Sequence, residues 1–201
     1  MMPVRAALRF LSTLCLIAGI ALVLSPVAWI AYSAAAVGPV QTAALASWEQ
    51  AGRSATPAPS VTSSTGMVLS IPRLKLRRFV PEGATPVNLR QYGLGRITWT
   101  SLPGTPGVVG IGGHRTTYGA PFLRLDRLQP GDLILLEYRG RRYQYAVVSA
   151  EVVRPEQIGV LQGSAGTQGI ALVTCTPAYS AAYRLVVLGM LRGVTTEVAS
   201  R

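Results

Sequence analysis

The chain has 201 residues, 49% of them apolar and 13% charged, with a formal charge of +11 carried almost wholly by arginine, since Lys75 is the only lysine. That is room for one domain of ordinary size plus a hydrophobic anchor. The arginines are scattered apart from short groups at 73–78 and 139–142. Nucleic-acid binding calls for clustering on one helix or interleaving with aromatics, so that partner class is set aside, and diffuse positive charge suits an anionic membrane or envelope surface.

Residues 1–9 form a short tail bearing Arg5 and Arg9, and the next charged residue is Glu49. The uncharged run between them predicts one membrane-spanning helix over 10–37, with Trp29 and Tyr32 at the outer interface. The positive-inside tendency keeps the tail cytoplasmic and puts everything after the span outside the cell membrane. Ser33-Ala-Ala-Ala36 is also readable as a signal-peptide cleavage site. The apolar run is longer than a signal-peptide core, so an uncleaved single-pass anchor is the reading adopted.

Residues 38–66 are assigned to an extracytoplasmic spacer. Its first part, about 41–49, is rich enough in Ala, Leu and Gln to prolong the anchor helix, and 52–66 is rich in Ser, Thr and Pro with no apolar periodicity, as in a flexible linker. From residue 67 to 201 the pattern becomes that of a second unit. Strands are predicted at 67–71, 74–79, 107–112, 133–138, 142–153, 169–175 and 183–191, punctuated by Pro-Gly turns, with brief helical stretches near 87–92, 121–128 and 155–161. Many short strands at close spacing predict an all-β fold, a small closed or nearly closed barrel.

Two apolar, β-branched runs, 169–175 and 183–191, flank a Thr-Pro-Ala-Tyr-Ser connection, with Cys175 ending the first and Arg184 near the start of the second. Cys15 falls inside the proposed span, so Cys175 is the only thiol of the outer unit and has no partner there for a disulfide. A buried cysteine acting as a small hydrophobe is one account of it. A nucleophile is the other, because a lone thiol outside the cytoplasm is exposed to oxidation. His114, the only histidine of the chain, closes the strand 107–113 and reads either as a surface loop residue or as the partner of that thiol. One His and one free Cys are too few soft ligands for zinc, and no cofactor is expected; a structural Ca²⁺ site built from Asp and Glu stays open.

Ala171-Leu-Val-Thr-Cys175 resembles the Thr-Leu-x-Thr-Cys signature of the sortases, cysteine transpeptidases anchored outside the membrane of Gram-positive bacteria. Gly113-His114-Arg115 resembles the family's histidine site, and Arg184 falls where its essential arginine is found, on the strand after the cysteine. The order His, Cys, Arg and the single N-terminal anchor agree, and the resemblance covers roughly residues 67–191, most like the small actinobacterial subfamilies called classes E and F. Ala171 departs from the signature, four residues before the cysteine, where packing is affected more than chemistry.

The resemblance implies an eight-stranded sortase barrel with short helices. It also implies cleavage of surface proteins bearing a Leu-Pro-x-Thr-Gly-like signal, between Thr and Gly, and transfer of the acyl group to a peptidoglycan precursor or another amine. Cys175 would be the nucleophile, His114 the general acid and base, and Arg184 the donor to the oxyanion or to the signal. Two rival readings stand beside it. Peptidoglycan cross-linking cysteine transpeptidases usually show a His-Gly-Cys neighbourhood, which is absent here, and a degenerate, non-catalytic sortase-like envelope scaffold would have had no need of all three residues.

Overall fold

In a computed structural model of the chain, the described residues are 4–53, 66–163 and 166–196. Helix α1 runs unbroken from Val4 to Arg53 with Pro26 and Pro39 inside it. Fifty residues of helix span about 75 Å, well over twice a roughly 30 Å hydrocarbon core. Every side chain from Leu8 to Trp29 is exposed, and the helix is long and apolar enough to cross a membrane. An all-round apolar surface with no protein against it is the pattern of a lipid-facing span. The Ser/Thr/Pro-rich spacer residues 54–65 lie outside the described residues. Docking on the barrel begins inside the span predicted over 10–37, where Ser33 and Val37 are buried, and continues through the helical residues 38–53, assigned from sequence to the spacer, where Gln41 and Trp48 meet Phe79.

The rest of the chain is an eight-stranded sheet made of β1 (Gly66–Ile71), β2 (Leu76–Pro81), β3 (Leu94–Arg96), β4 (Gly107–Gly113), β5 (Leu133–Tyr138), β6 (Arg141–Val153), β7 (Gln168–Thr176) and β8 (Tyr183–Thr196), with α2 (Pro86–Tyr92) between β2 and β3. The strand order is β2-β1-β5-β6-β8-β7-β4-β3, and a parallel bridge from Glu82 to Arg96 joins the exit of β2 to β3, which nearly closes the barrel. The buried Arg96 reinforces that closure, its Nε lying 2.7 Å from Glu82 Oε2 and its Nη1 2.7 Å from the Thr100 carbonyl. Buried charge is tolerated where every donor finds an acceptor, as here.

Alternation decides what faces the core. Val109 and Ile111 of β4, Ile170 and Leu172 of β7, and Leu185 and Val187 of β8 point inward with Leu69, Ile134, Leu136 and Tyr145. The opposite face of β4, β7 and β8 carries a second, smaller apolar cluster around Val108, Ala171 and Val186.

Small shifts separate sequence from structure. Pro72–Leu74 is a 3₁₀ turn ended by Lys75 at φ 51°, so β2 begins two residues later than the apolar pattern suggests. The helices expected near 121–128 and 155–161 are 3₁₀ turns at Leu125–Arg127 and Ile158–Leu161. β8 continues to Thr196 because β6 is long enough to pair with it, Arg141 opposite Thr196.

Candidate active site

β7 lies between β4 and β8, parallel to the first and antiparallel to the second. Cys175 is registered directly opposite Arg184 on β8. On the other side the parallel ladder pairs Gly112 with Val173, an offset that carries His114 level with Cys175 one alternation further on. Two side-chain hydrogen bonds preserve that offset beyond the ladder. Thr174 Oγ1 donates to the Gly113 carbonyl at 2.8 Å, and Arg115 Nη1 donates to Thr176 Oγ1 at 3.1 Å, each linking residues 61 apart in sequence. His114 and Cys175 are therefore bracketed by bonds on both sides, and the three predicted residues come to one end of three adjacent strands.

Alternation puts Cys175 on the outer face with Val173 and Ala171, while Ile170, Leu172 and Thr174 turn inward and are buried. Cys175 is half-buried and unpaired by any disulfide. Arg184, also half-buried, donates from Nη1 to the carbonyls of Ala181 at 2.9 Å and Tyr183 at 3.0 Å, which tie its guanidinium to the loop entering β8. The loop from Thr176 to Tyr183 thus leaves from the cysteine and returns through the arginine.

His114 is held by its backbone, its N–H bonded to the Gly93 carbonyl at 2.9 Å and its carbonyl accepting from Phe122 N–H at 3.1 Å. The preceding residue is a glycine because the Phe122 ring packs on it, and a Cβ there would meet Phe122 Cδ2 at 2.7 Å. Thr117 Oγ1 lies 3.3 Å from His114 Nδ1, and the Tyr118 ring sits 4.9 Å away, tilted by 39°. His114 Nε2 is buried and has no hydrogen-bond partner among the described residues. An orphaned ring nitrogen in a native site is an invitation to a reacting proton or a ligand. Burial also pushes the imidazole pKa below its ordinary 6.5, because desolvation disfavours the charged ring.

Three supporting groups carry no role in the sequence reading. Arg115 is buried, and besides Thr176 it reaches Asp126 Oδ2 at 3.1 Å, so it clamps the end of β4 to the end of β7. Thr174 does the same from the inner face. Both stand inside the motifs quoted for the family, where a signal existed. Tyr118 gave none, since nothing in a Tyr-Gly-Ala run tells that its ring lies on the histidine. An apolar cavity of about 350 Å³ occupies the far end of the same sheet face, lined by Val108, Val160, Gly169, Leu188 and Met190. Gly169 stands roughly 20 Å along β7 from Cys175, so this cavity is not the reacting centre. Among the described residues no three His, Cys, Asp or Glu side chains gather as a metal site would require.

An eight-stranded barrel with a cysteine, a histidine and an arginine at one end of three neighbouring strands has the layout of a cysteine transpeptidase. The sequence profile of the sortase domain matches residues 69–192, and the chain belongs to the sortase family, whose members are generally cysteine transpeptidases. It is 31% identical over 138 residues to sortase SrtE1 of Streptomyces coelicolor, a match covering 62% of this chain and 39% of that protein. The chain thus spans about two fifths of the length of the curated relatives it matches. Among solved structures, sortase E1 from Streptomyces coelicolor with a tripeptide in the active site aligns at TM-score 0.60 and 29% identity, covering 65% of this chain and 90% of that one. Sortase E from Streptomyces avermitilis aligns at TM-score 0.59 and 26% identity, covering 66% and 90%.

Proposed function

We propose that this protein is a membrane-anchored transpeptidase that cuts a Leu-Pro-x-Thr-Gly-like sorting signal between Thr and Gly and passes the acyl group to a cell-wall amine. The observation that supports it most is the shared offset that sets His114 beside Cys175, with Arg184 registered on the other side. The Streptomyces coelicolor sortase E1 structure, to which this chain is similar, holds a tripeptide in its active site.

Chemistry assigns the parts. A neutral imidazole with a free Nε2 is a base, so His114 takes the Cys175 thiol proton as sulfur attacks the Thr carbonyl carbon. Arg184 is then the resting cation near the sulfur, and His114 becomes cationic only once the proton has moved. Arg184 donates to the oxyanion of the tetrahedral intermediate. His114 returns the proton to the departing Gly amine, the C–N bond breaks and a thioester remains. The acceptor amine attacks that thioester, gives its proton to His114, and the sulfur leaves and is reprotonated.

Topology follows from charge. Arg5 and Arg9 keep the N-terminus cytoplasmic, so α1 crosses once and the barrel faces the envelope. Protease added outside intact cells should then remove the barrel and leave a small membrane stub; a full-length product resistant to protease would reject this orientation.

The test of function uses the full chain in detergent micelles with a panel of Leu-Pro-x-Thr-Gly and Leu-Ala-x-Thr-Gly peptides, following cleavage and intact mass together. A mass increase equal to the acyl fragment, discharged by an added amine, is the expected result. Cleavage without any covalent adduct on Cys175 would remove the mechanism.

A further inference from the structure

The membrane helix reaches the site. From Ile30 onward α1 is no longer bare: Ser33, Val37 and Gln41 are 1%, 3% and 3% exposed, and Trp48 is half-buried against Phe79. Their spacing of four, four and seven residues makes one stripe along the helix. Gln41 is its rivet. Its Oε1 accepts from Phe79 N–H at 2.8 Å, and its Nε2 donates to the carbonyls of Phe79 at 3.0 Å and Tyr92 at 2.7 Å.

Two turns nearer the membrane the same stripe meets the histidine loop. The Ser33 hydroxyl donates to the Ile30 carbonyl at 2.9 Å, which orients its oxygen to accept from Tyr118 N–H at 3.2 Å. Val37 packs on Gly119 so closely that a Cβ there would lie 3.2 Å from Val37 Cγ1. Tyr118, Gly119 and Ala120 stand at φ 49°, 77° and 43°, three successive residues in the left-handed region, of which only one is glycine. Such a run persists only where surrounding structure holds it. The internal bond from Ala120 N–H to the Thr117 carbonyl closes the turn, but the contacts with Ser33 and Val37 come from outside it. Tyr118 in turn lays its ring against His114.

We infer that the outer part of the anchor helix is a positioning element of the active site: Ser33 and Val37 hold the 117–120 turn, and Tyr118 transmits that hold to the His114 ring. The inference rests on the catalytic reading of His114 and adds to it that the anchor has a second task besides tethering. Ser33 and Tyr118 are positioning residues, since neither is argued to touch substrate.

The test keeps the full chain in nanodiscs. Because His114 is the only histidine, ¹³C-histidine labelling gives a single ring spectrum, shifted by the Tyr118 ring current, that needs no turnover to be read. Ser33→Ala should move that spectrum toward an unstacked imidazole and lower kcat on the order of tenfold, within the roughly 10²-fold that an ångström of misplacement costs, with KM within about twofold. Tyr118→Ala should do the same, and Tyr118→Phe, which keeps the ring, should restore both readouts. Thr42→Ala, on the exposed side of α1, should change neither. An unaltered His114 spectrum and kcat in Ser33→Ala would overturn the inference, as would an equal loss in Thr42→Ala. Failure of the catalytic reading of His114 shows separately, as turnover retained by His114→Ala.

Discussion

The two ends of β8 carry the same residue type and opposite fates. Arg184 opens the strand opposite Cys175, while Arg192 lies near the far end, where the β6 register passes from Gly193 to Leu191 and leaves Arg192 without a partner. Strict alternation over 184–192 would have kept both arginines on one face, about 26 Å apart at roughly 3.3 Å per residue. The irregularity at Arg192 breaks that alternation locally, as bulges do. The β7 ladder ends at Gly169 opposite Met190, so Arg192 has no strand of the site beside it either. What a guanidinium can do is set by its neighbours across the sheet: Arg184 stands opposite a thiol, whereas the far end of the face is occupied by an apolar cavity.

Cys175→Ala should abolish the covalent adduct and turnover, since Cys175 is the one thiol among the described residues of the barrel and a hydroxyl is far less nucleophilic; intact mass and peptide cleavage read it. Arg184→Ala should follow, with a loss of about 2.7–4 kcal/mol in the barrier, roughly 10²–10³ in kcat, as for a donor aimed at an oxyanion. Arg184→Lys should recover only part, because an ammonium is not a planar two-pronged donor. If Arg184→Ala kept near-normal kcat while Arg192→Ala lost it, the assignment of the third residue would be reversed.

His114→Ala should cost roughly a hundredfold or more by removing the proton carrier. Its pH dependence sharpens the point. Burial lowers the His114 pKa from 6.5, and a base must be neutral, so the acid limb of kcat/KM should lie below pH 6.5 and be missing from His114→Ala. Stability carries the same sign. The unfolded chain binds this proton more readily, so the His114 contribution is full above pH 6.5 and is lost as pH falls through the lowered folded value; unfolding midpoints of the wild type and His114→Ala should converge or cross on acidification.

Smaller effects belong to the clamp and the control. Arg115→Ala frees the ends of β4 and β7 from each other, and should lower kcat by about tenfold through misplacement of His114 against Cys175. Arg115→Lys keeps the charge but not the reach to both Thr176 and Asp126, and should rescue little. Arg192→Ala should leave kcat/KM within about twofold, since surface changes away from special features usually cost little.

The long strands were legible because half-buried or fully buried sheet leaves a strong apolar signature. β5 over Leu133–Tyr138 matches its predicted span, and β4, β6 and β7 agree within a residue at each end. β3 was not legible. Three residues, Leu94-Gly-Arg96, are too short for any periodicity, and they form a strand because Gly113, Gly112 and Ile111 offer them a ladder. The helix beyond the span was readable as helix from its Ala and Leu content. Its docking, and that of the last turns of the predicted span, was not, because Ser33, Val37 and Gln41 are separated in sequence from Phe79, Tyr92 and Tyr118, and only folding brings them together.

Hydropathy, turn residues and short motifs are local properties of the chain, so the long apolar N-terminal helix, the run of strands, and Cys175, His114 and Arg184 as residues to watch were legible before folding. The 61-residue offset that brings His114 level with Cys175, the placing of Arg184 rather than Arg192 at the thiol's strand end, and the docking of α1 on the histidine loop exist only in the folded protein. These are relations between distant segments, fixed by strand register and by side-chain packing, and a one-residue slip of β7 would turn Cys175 to the other face.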